Sequence, residues 1–148
     1  MNNNSVTHEE MLGHILGSTG KLLRARFDQR LSDEKIGVNS MQAIALLHII
    51  VNNGDCNQQQ VADCLHQDKT MITRIIDSLE KGKFVRREID SADRRQKLLQ
   101  VTSLGRKLHE TVNQVAQEIE KEALKNIGQQ ELLTCYQVLE KVRNNLSP

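Results

Sequence analysis

One short helical segment carries polar and basic side chains along one side, and these are the residues best suited to binding a ligand. Between residues 68 and 81, the spacing of Thr70, Thr73 and Arg74 turns them away from the apolar side of the helix. That apolar side consists of Ile72, Ile75, Ile76 and Leu79. The outward side offers hydroxyl, methyl and guanidinium groups and no large apolar side chain. Because such groups can contact base edges and phosphates, the segment predicts a helix that binds nucleic acid.

A stretch rich in positive charge follows this helix. Its basic residues are Lys81, Lys83, Arg86, Arg87, Arg94, Arg95 and Lys97, and its acidic residues are Glu88, Asp90 and Asp93. The formal net charge of the whole chain is only +1, so the total hides this local excess. The distribution favours a polyanionic partner.

Helix-start signals place these residues within a series of helices. In a capping box, two side chains satisfy backbone N–H groups at the helix start, and such boxes are predicted at Thr7 with Glu10, Asn39 with Gln42, and Asn57 with Gln60. Asp68 and Thr102 are single N-cap candidates, and a last helix is expected from Gln129. Residues 84–90 and 97–102 are expected to form two short antiparallel strands.

The predicted architecture is mostly α with a small antiparallel β-wing, which is a winged helix-turn-helix with long terminal helices. The chain has 148 residues, the size of one domain, and its aromatic content of 2% favours helix-on-helix packing over a β-sandwich. We expect one domain over residues 1–148, with a winged-helix core at about 38–102 and dimerisation helices at about 7–31 and 103–146.

The dimerisation helices are inferred from long apolar stripes. The first stripe comprises Leu12, Ile15, Leu16, Thr19, Leu22, Leu23, Phe27 and Leu31. The later stripes comprise Leu104, Leu108, Val112, Val115 and Ile119, and then Leu132, Leu133, Tyr136, Leu139 and Leu146. A monomer would leave much of this apolar surface in water, so a second copy is expected to cover it.

The sequence does not support several other classes of protein. Cys56, Cys64 and Cys135 lack paired spacing, which favours a reducing compartment over a disulfide framework. Residues 1–10 have no signal-peptide pattern and no apolar run is long enough to cross a bilayer, so we expect a cytoplasmic protein without a membrane partner. Because the histidines are scattered and common catalytic motifs are absent, we expect no metal, no cofactor and no enzymatic activity.

Residues 68–102 resemble the MarR family of bacterial transcriptional regulators. The matching pieces are the helix 68–81, the wing motif Asp93-Arg94-Arg95, and Val101-Thr102 followed by Gly105. The resemblance implies a homodimer with intertwined first and last helices. Its two winged helices would reach successive major grooves of a pseudo-palindromic operator, about 34 Å apart. It further implies repression that responds to a small-molecule effector, bound between the dimerisation helices and the DNA-binding lobe.

The resemblance also implies roles for individual residues. The side chains that would bind double-stranded DNA are Lys69, Thr70, Thr73, Arg74, Arg94, Arg95 and Lys97. Arg95 would reach the minor groove, and Asp93 would orient a neighbouring arginine because phosphates repel its carboxylate. The chain departs from the family at Ala92, where arginine is frequent, and at Lys83, where glycine is frequent. We expect the helix to end one residue early, so that Lys83 avoids a left-handed backbone.

Two other functions stay open on the sequence alone. The winged helix could be a protein-interaction module whose basic side binds an acidic partner. Alternatively, a cysteine could sense oxidants, although we expect Cys64 to be buried and inert, and Cys56 to be more exposed with its pKa raised by Asp55. The low aromatic content also predicts little stacking surface for an aromatic effector.

Overall fold

A computed structural model describes residues 11–147. The elements in chain order are α1 (Leu12–Asp33), α2 (Ser40–Val51), α3 (Gln58–Leu65), α4 (Lys69–Lys81), β1 (Val85–Ile89), β2 (Lys97–Val101), α5 (Ser103–Ala123) and α6 (Gln129–Leu146). The predicted mostly α fold with one small antiparallel sheet is therefore confirmed. No helix in this part of the chain is long and apolar enough to cross a membrane.

The helix starts follow the predicted caps. The predicted capping boxes of α2 and α3 are both formed. The Asn39 side chain accepts from the Gln42 backbone N–H at 3.0 Å, and the Asn57 side chain accepts from the Gln60 backbone N–H in the same way. Asp68 caps α4 by accepting from the Met71 backbone at 2.9 Å. The predicted box of Thr7 and Glu10 lies outside the described residues. Since each cap satisfies an otherwise unpaired N–H, these side chains fix where the helices begin.

The core lies where α2, α3 and α4 pack against the sheet and α5. Its fully buried side chains include Ile49, Val61, Ile72, Ile76 and Leu79. The predicted inward side of α4 is therefore confirmed. On α5 the predicted stripe is also buried at Leu108, Val112, Val115 and Ile119, but Leu104 is 46% exposed.

The buried side of α2 consists mainly of small and aliphatic residues. These are Ser40, Ala43, Ala45, Leu46 and Ile49. Leu47 and Val51 are exposed. Because α2 is apolar almost all round, its periodicity does not choose a side, and the neighbouring elements decide which residues are covered.

The wing is a two-stranded antiparallel ribbon. Val85 pairs with Val101 at its base, and Ile89 pairs with Lys97 near its tip. The observed strands are slightly shorter than the predicted ranges 84–90 and 97–102. The Leu99 backbone N–H donates a hydrogen bond of 2.9 Å to the Cys56 carbonyl, which attaches β2 to the residues just before α3. This hydrogen bond holds the second strand of the wing to the helices.

The wing passes into α5 almost without a connection. Thr102 caps α5 by accepting from the Gly105 N–H at 3.0 Å, and its own hydroxyl donates to the Lys83 carbonyl at 2.7 Å. A Cβ added at Gly105 would lie 2.2 Å from the carbonyl oxygen of Phe84. Only glycine therefore allows the first turn of α5 to lie against the entrance of β1.

The end of α4 corrects one prediction. The helix ends at Lys81, but Lys83 has a φ of 61°, in the left-handed region that the expected early ending would have avoided. The Phe84 backbone N–H reaches back to the Leu79 carbonyl at 2.9 Å and that of Lys83 to Glu80 at 2.9 Å. This bonding pattern requires a left-handed residue just after the helix, which is why glycine is usual there.

The terminal helices bury little of their apolar surface in the single chain. Of the described residues, α1 buries only Leu31 and α6 buries none. Leu22 on α1 is 71% exposed. Polar contacts join α1 to the rest of the chain: Arg26 pairs with Glu122 of α5 at 3.0 Å, and Arg30 pairs with Glu118.

Candidate nucleic-acid interface

α4 presents a polar side to solvent because its four inward residues anchor it to the core. Thr70 and Arg74 are exposed and Thr73 is half-buried, as the helical spacing predicts. Met71 is also 43% exposed, so the prediction that no large apolar side chain faces outward is wrong. The outward surface of α4 therefore combines hydrogen-bonding groups, one guanidinium and a thioether.

Five of the seven predicted DNA-binding residues line two depressions. Lys69, Arg95 and Lys97 line a cleft of about 440 Å³ between α3, α4 and the wing. Thr70 and Arg74 line a groove of about 400 Å³ between α4 and the start of α2. Arg94 is exposed in the wing turn. Basic groups are thus available on both sides of α4.

The wing turn is held by two aspartates. Asp90 accepts from the Ala92 backbone N–H at 2.8 Å, and Asp93 accepts from the Arg95 backbone N–H at 3.0 Å. A second oxygen of Asp93 accepts from the Gln96 side chain at 3.2 Å. The carboxylate of Asp93 thus bonds to the backbone of Arg95 and leaves its guanidinium without an ion-pair partner.

Ion pairing divides the arginines into two groups. Those with a carboxylate partner are Arg26, Arg30, Arg86, Arg87 and Arg143. Within residues 11–147, those without one are Arg24, Arg74, Arg94, Arg95 and Arg106. All three arginines predicted to bind DNA are in the second group. Their charge is available to an external anion, because no carboxylate among residues 11–147 pairs with it.

Arg86 and Arg87 do not contribute unpaired positive charge to the expected cationic patch, because each has a carboxylate partner. Arg86 pairs with Glu88 at 2.8 Å. The side chain of Arg87 is only 19% exposed and pairs with Asp77 at 2.6 Å and with Glu80. The remaining positive charge of this surface includes Arg94 and Arg95 in the wing turn and Lys69 and Lys97, which line the cleft.

Gln58 is a residue of this surface that the sequence did not single out. Its side-chain oxygen accepts from Arg87 at 3.2 Å, and its nitrogen donates to the Thr73 hydroxyl. It thereby connects three elements, α3, β1 and α4. The only sequence signal is its place in the first turn of α3, directly after the Asn57 cap, and this does not reveal its distant partners.

A separate groove of about 620 Å³ lies between α1, α2, α5 and α6. Most of its lining is apolar, and it includes Phe27 and Tyr136, two of the three aromatic residues of the chain. The aromatic residues of the chain are thus concentrated at this groove. Arg24 and Glu120 are its charged lining residues.

The cysteines lie elsewhere than expected. Cys64 is exposed and Cys56 is buried, the reverse of the predicted arrangement. Burial raises the pKa of the Cys56 thiol, and the neighbouring Asp55 raises it further. The direction of that shift is as predicted, but burial is its larger cause. Cys135 is exposed on α6 and lines the large groove.

The segment that forms this surface is similar to known proteins. Residues 40–97, from α2 to the start of β2, match the model of the MarR family. An uncharacterised HTH-type transcriptional regulator of Bacillus subtilis, YdgJ, is 26% identical over 108 residues. That match covers 73% of this chain and 66% of the relative, slightly less than two thirds of the relative's length.

Solved structures share the fold over nearly the whole chain. The DNA complex of MepR from S. aureus has a TM-score of 0.81 at 20% identity and covers 95% of this chain and 100% of its own. CouR from Rhodococcus jostii RHA1, solved with bound p-coumaroyl-CoA, has a TM-score of 0.81 at 22% identity, with 93% and 95% covered. At these identities the likeness shows a common fold.

Proposed function

We propose that this chain is a sequence-specific DNA-binding transcriptional regulator. The match of residues 40–97 to the model of the MarR family supports this proposal. In this proposal it is a repressor that binds a pseudo-palindromic operator as a homodimer. The observation that carries it is the set of arginines without an ion-pair partner within residues 11–147: Arg74 on α4, and Arg94 and Arg95 in the wing turn. α4 would enter the major groove, and the wing would reach the adjacent minor groove.

Each candidate residue has a defined part in this mechanism. Lys69, Arg94 and Lys97 would neutralise phosphates, which supplies affinity without sequence preference. Thr70, Thr73 and Arg74 would contact base edges or the adjacent phosphates from α4. Arg95 would enter the minor groove, where its guanidinium would also neutralise an adjacent phosphate, and the hydrogen bonds of Asp93 would hold the wing turn.

The dimer is proposed from the uncovered surface of α1 and α6. Large apolar side chains are exposed along both helices, including Leu22 at 71% and Leu146 at 80%. Contiguous apolar surface of this kind marks interaction sites. A second copy of the chain would cover it and would fix the distance between the two α4 helices.

An effector is proposed to bind the groove between α1, α2, α5 and α6. This groove joins the winged-helix centre, through α2, to the helices of the proposed dimer. A compound that binds better to one spacing of the two α4 helices shifts the population towards that spacing. MepR was solved with DNA and CouR with an acyl-CoA compound, and both share this fold.

DNA selection followed by salt titration tests the proposal. We expect the purified protein to select a two-fold symmetric site from random duplexes. Each lost phosphate contact flattens the slope of log affinity against log salt by about 0.9, so Arg95→Ala and Arg74→Ala should each flatten it by about twice that in a symmetric dimer.

Arg143→Ala is the matched control, because it removes the same charge from α6, where Arg143 is exposed and pairs with Glu140. Its slope should equal that of the unaltered protein. If no duplex is selected and an acidic protein binds in a salt-dependent way instead, the chain is an interaction module. If Arg74→Ala and Arg95→Ala behave like Arg143→Ala, these two arginines do not contact phosphates.

A further inference from the structure

We propose that Thr73 contacts DNA through its methyl group and that Gln58 and Arg87 hold it in this orientation. The inference rests on the proposed function and deepens it, because it names the base that Thr73 selects. Its origin is a chain of hydrogen bonds that runs from the wing, through α3, to the centre of α4.

The hydroxyl group of Thr73 is already in use. Its hydrogen is donated to the Lys69 carbonyl one turn earlier, at 2.8 Å. Its oxygen also accepts from the side-chain nitrogen of Gln58. A hydroxyl has one hydrogen, so Thr73 has none left to donate to a base. The oxygen keeps one lone pair as an acceptor, and the methyl group is the apolar substituent on its Cβ that can meet a ligand.

Gln58 is held in the orientation that this arrangement needs. Its side-chain oxygen accepts from Arg87 at 3.2 Å, so its nitrogen is the atom directed to Thr73. Arg87 is itself fixed by Asp77 at 2.6 Å and by Glu80. Charge-assisted bonds are stronger than neutral ones, and the Arg87 side chain is only 19% exposed. The network is therefore set before DNA arrives.

A methyl group in the major groove has a specific counterpart. Thymine alone among the four bases carries a C5-methyl group there, and apolar side-chain atoms contact it favourably. Thr73 should therefore favour thymine at one position of each half-site. Thr70, also on α4, is exposed and its hydroxyl has no hydrogen-bond partner within residues 11–147, so it can still donate to a base.

Replacing thymine by deoxyuridine tests this directly, because the change removes only the methyl group. In the selected operator, each symmetric pair of thymines is replaced in turn and the affinity is measured. We expect one pair whose replacement weakens binding about fourfold for each methyl lost. Thr73→Val keeps the methyl and should keep this sensitivity, whereas Thr73→Ser should bind the thymine and uracil operators equally.

Two further variants separate reading from positioning. Thr111→Ser is the control, because Thr111 on α5 is exposed and likewise donates to a carbonyl one turn earlier, and it should leave the sensitivity at that pair unchanged. Gln58→Ala removes one of the two hydrogen bonds that hold the Thr73 hydroxyl, so the preference for thymine at that pair should weaken while the salt slope stays the same. A merely structural role for Gln58 would lower affinity for every operator equally.

The outcomes are distinguishable from those of the proposed function. If no thymine replacement affects the unaltered protein, or if Thr73→Ser retains the sensitivity that Thr73→Val loses, the inference is wrong although the chain still binds its operator. If random duplexes yield no operator at all, the proposed function fails and this inference fails with it.

Discussion

The winged-helix centre, from α2 to β2, and the terminal helices α1 and α6 differ in how far their side chains find contacts within the chain. From α2 to β2, apolar residues such as Ile49 and Ile76 are completely buried, and inward polar groups such as Arg87 find partners within the chain. In α1 and α6, apolar residues such as Leu22 and Leu146 stay exposed. The centre is thus specified by contacts within one chain, whereas the terminal helices carry surface for which a partner is proposed.

The largest effect is expected from a charge placed on the exposed apolar surface of the terminal helices, because it should prevent the proposed dimer from forming. Leu22→Asp puts a carboxylate into the proposed dimer surface, where burying an unpaired charge costs several kcal/mol, on the order of 3 or more. We expect the protein to become monomeric at micromolar concentration, as measured by sedimentation, and to lose most of its operator affinity.

Ile89→Asp is the control for that experiment, because Ile89 is 67% exposed on the wing and close to the 71% of Leu22. The same chemical change there should leave the oligomeric state as it was. If both variants sediment like the unaltered protein, α1 does not form the dimer surface at Leu22.

Removing the central polar contact of the wing should have an intermediate effect. Arg87→Gln leaves Asp77 and Glu80 without their cation, and we expect the free energy of unfolding to fall by about 1–3 kcal/mol. Urea unfolding measures this loss. Arg86→Gln, at a residue 64% exposed with the single partner Glu88, should change it by less than about 1 kcal/mol. Equal losses in the two variants would show that the buried position of Arg87 is unimportant.

Relief of backbone strain should have the smallest effect and the opposite sign. Lys83 has a φ of 61°, which glycine adopts without steric cost, so Lys83→Gly should raise the free energy of unfolding by about 1 kcal/mol. Lys81→Gly, within the last turn of α4, should lower it by about 0.5–1 kcal/mol. A loss of stability in Lys83→Gly would mean that the lysine side chain contributes more than the strain costs.

Features that depend on neighbours in the sequence could be predicted. The boxes of Asn39 with Gln42 and of Asn57 with Gln60 join residues three positions apart, so their spacing alone places the helix starts. The inward side of α4 was equally readable, since its isoleucines recur with the helical period. The order of elements and the position of the wing followed from these local signals.

Features that depend on distant neighbours could not be predicted. Arg87 looked like one more surface cation, because its partners lie on α4 and α3, and a count of charges does not reveal pairing. Cys56 was expected to be exposed beside a loop, but its carbonyl bonds to β2 and its side chain is buried. Lys83 adopts its left-handed backbone because the bonds that close α4 need it, whichever residue stands there.

The junction at Thr102 has a mechanical consequence. One residue separates the last pair of the ribbon, Val85 with Val101, from the first turn of α5, and Gly105 lies against Phe84 with no room for a methyl group. We therefore expect the ribbon and α5, which is about 30 Å long, to move as one rigid unit. A tilt of the far end of α5 would then displace the wing tip that carries Arg94 and Arg95.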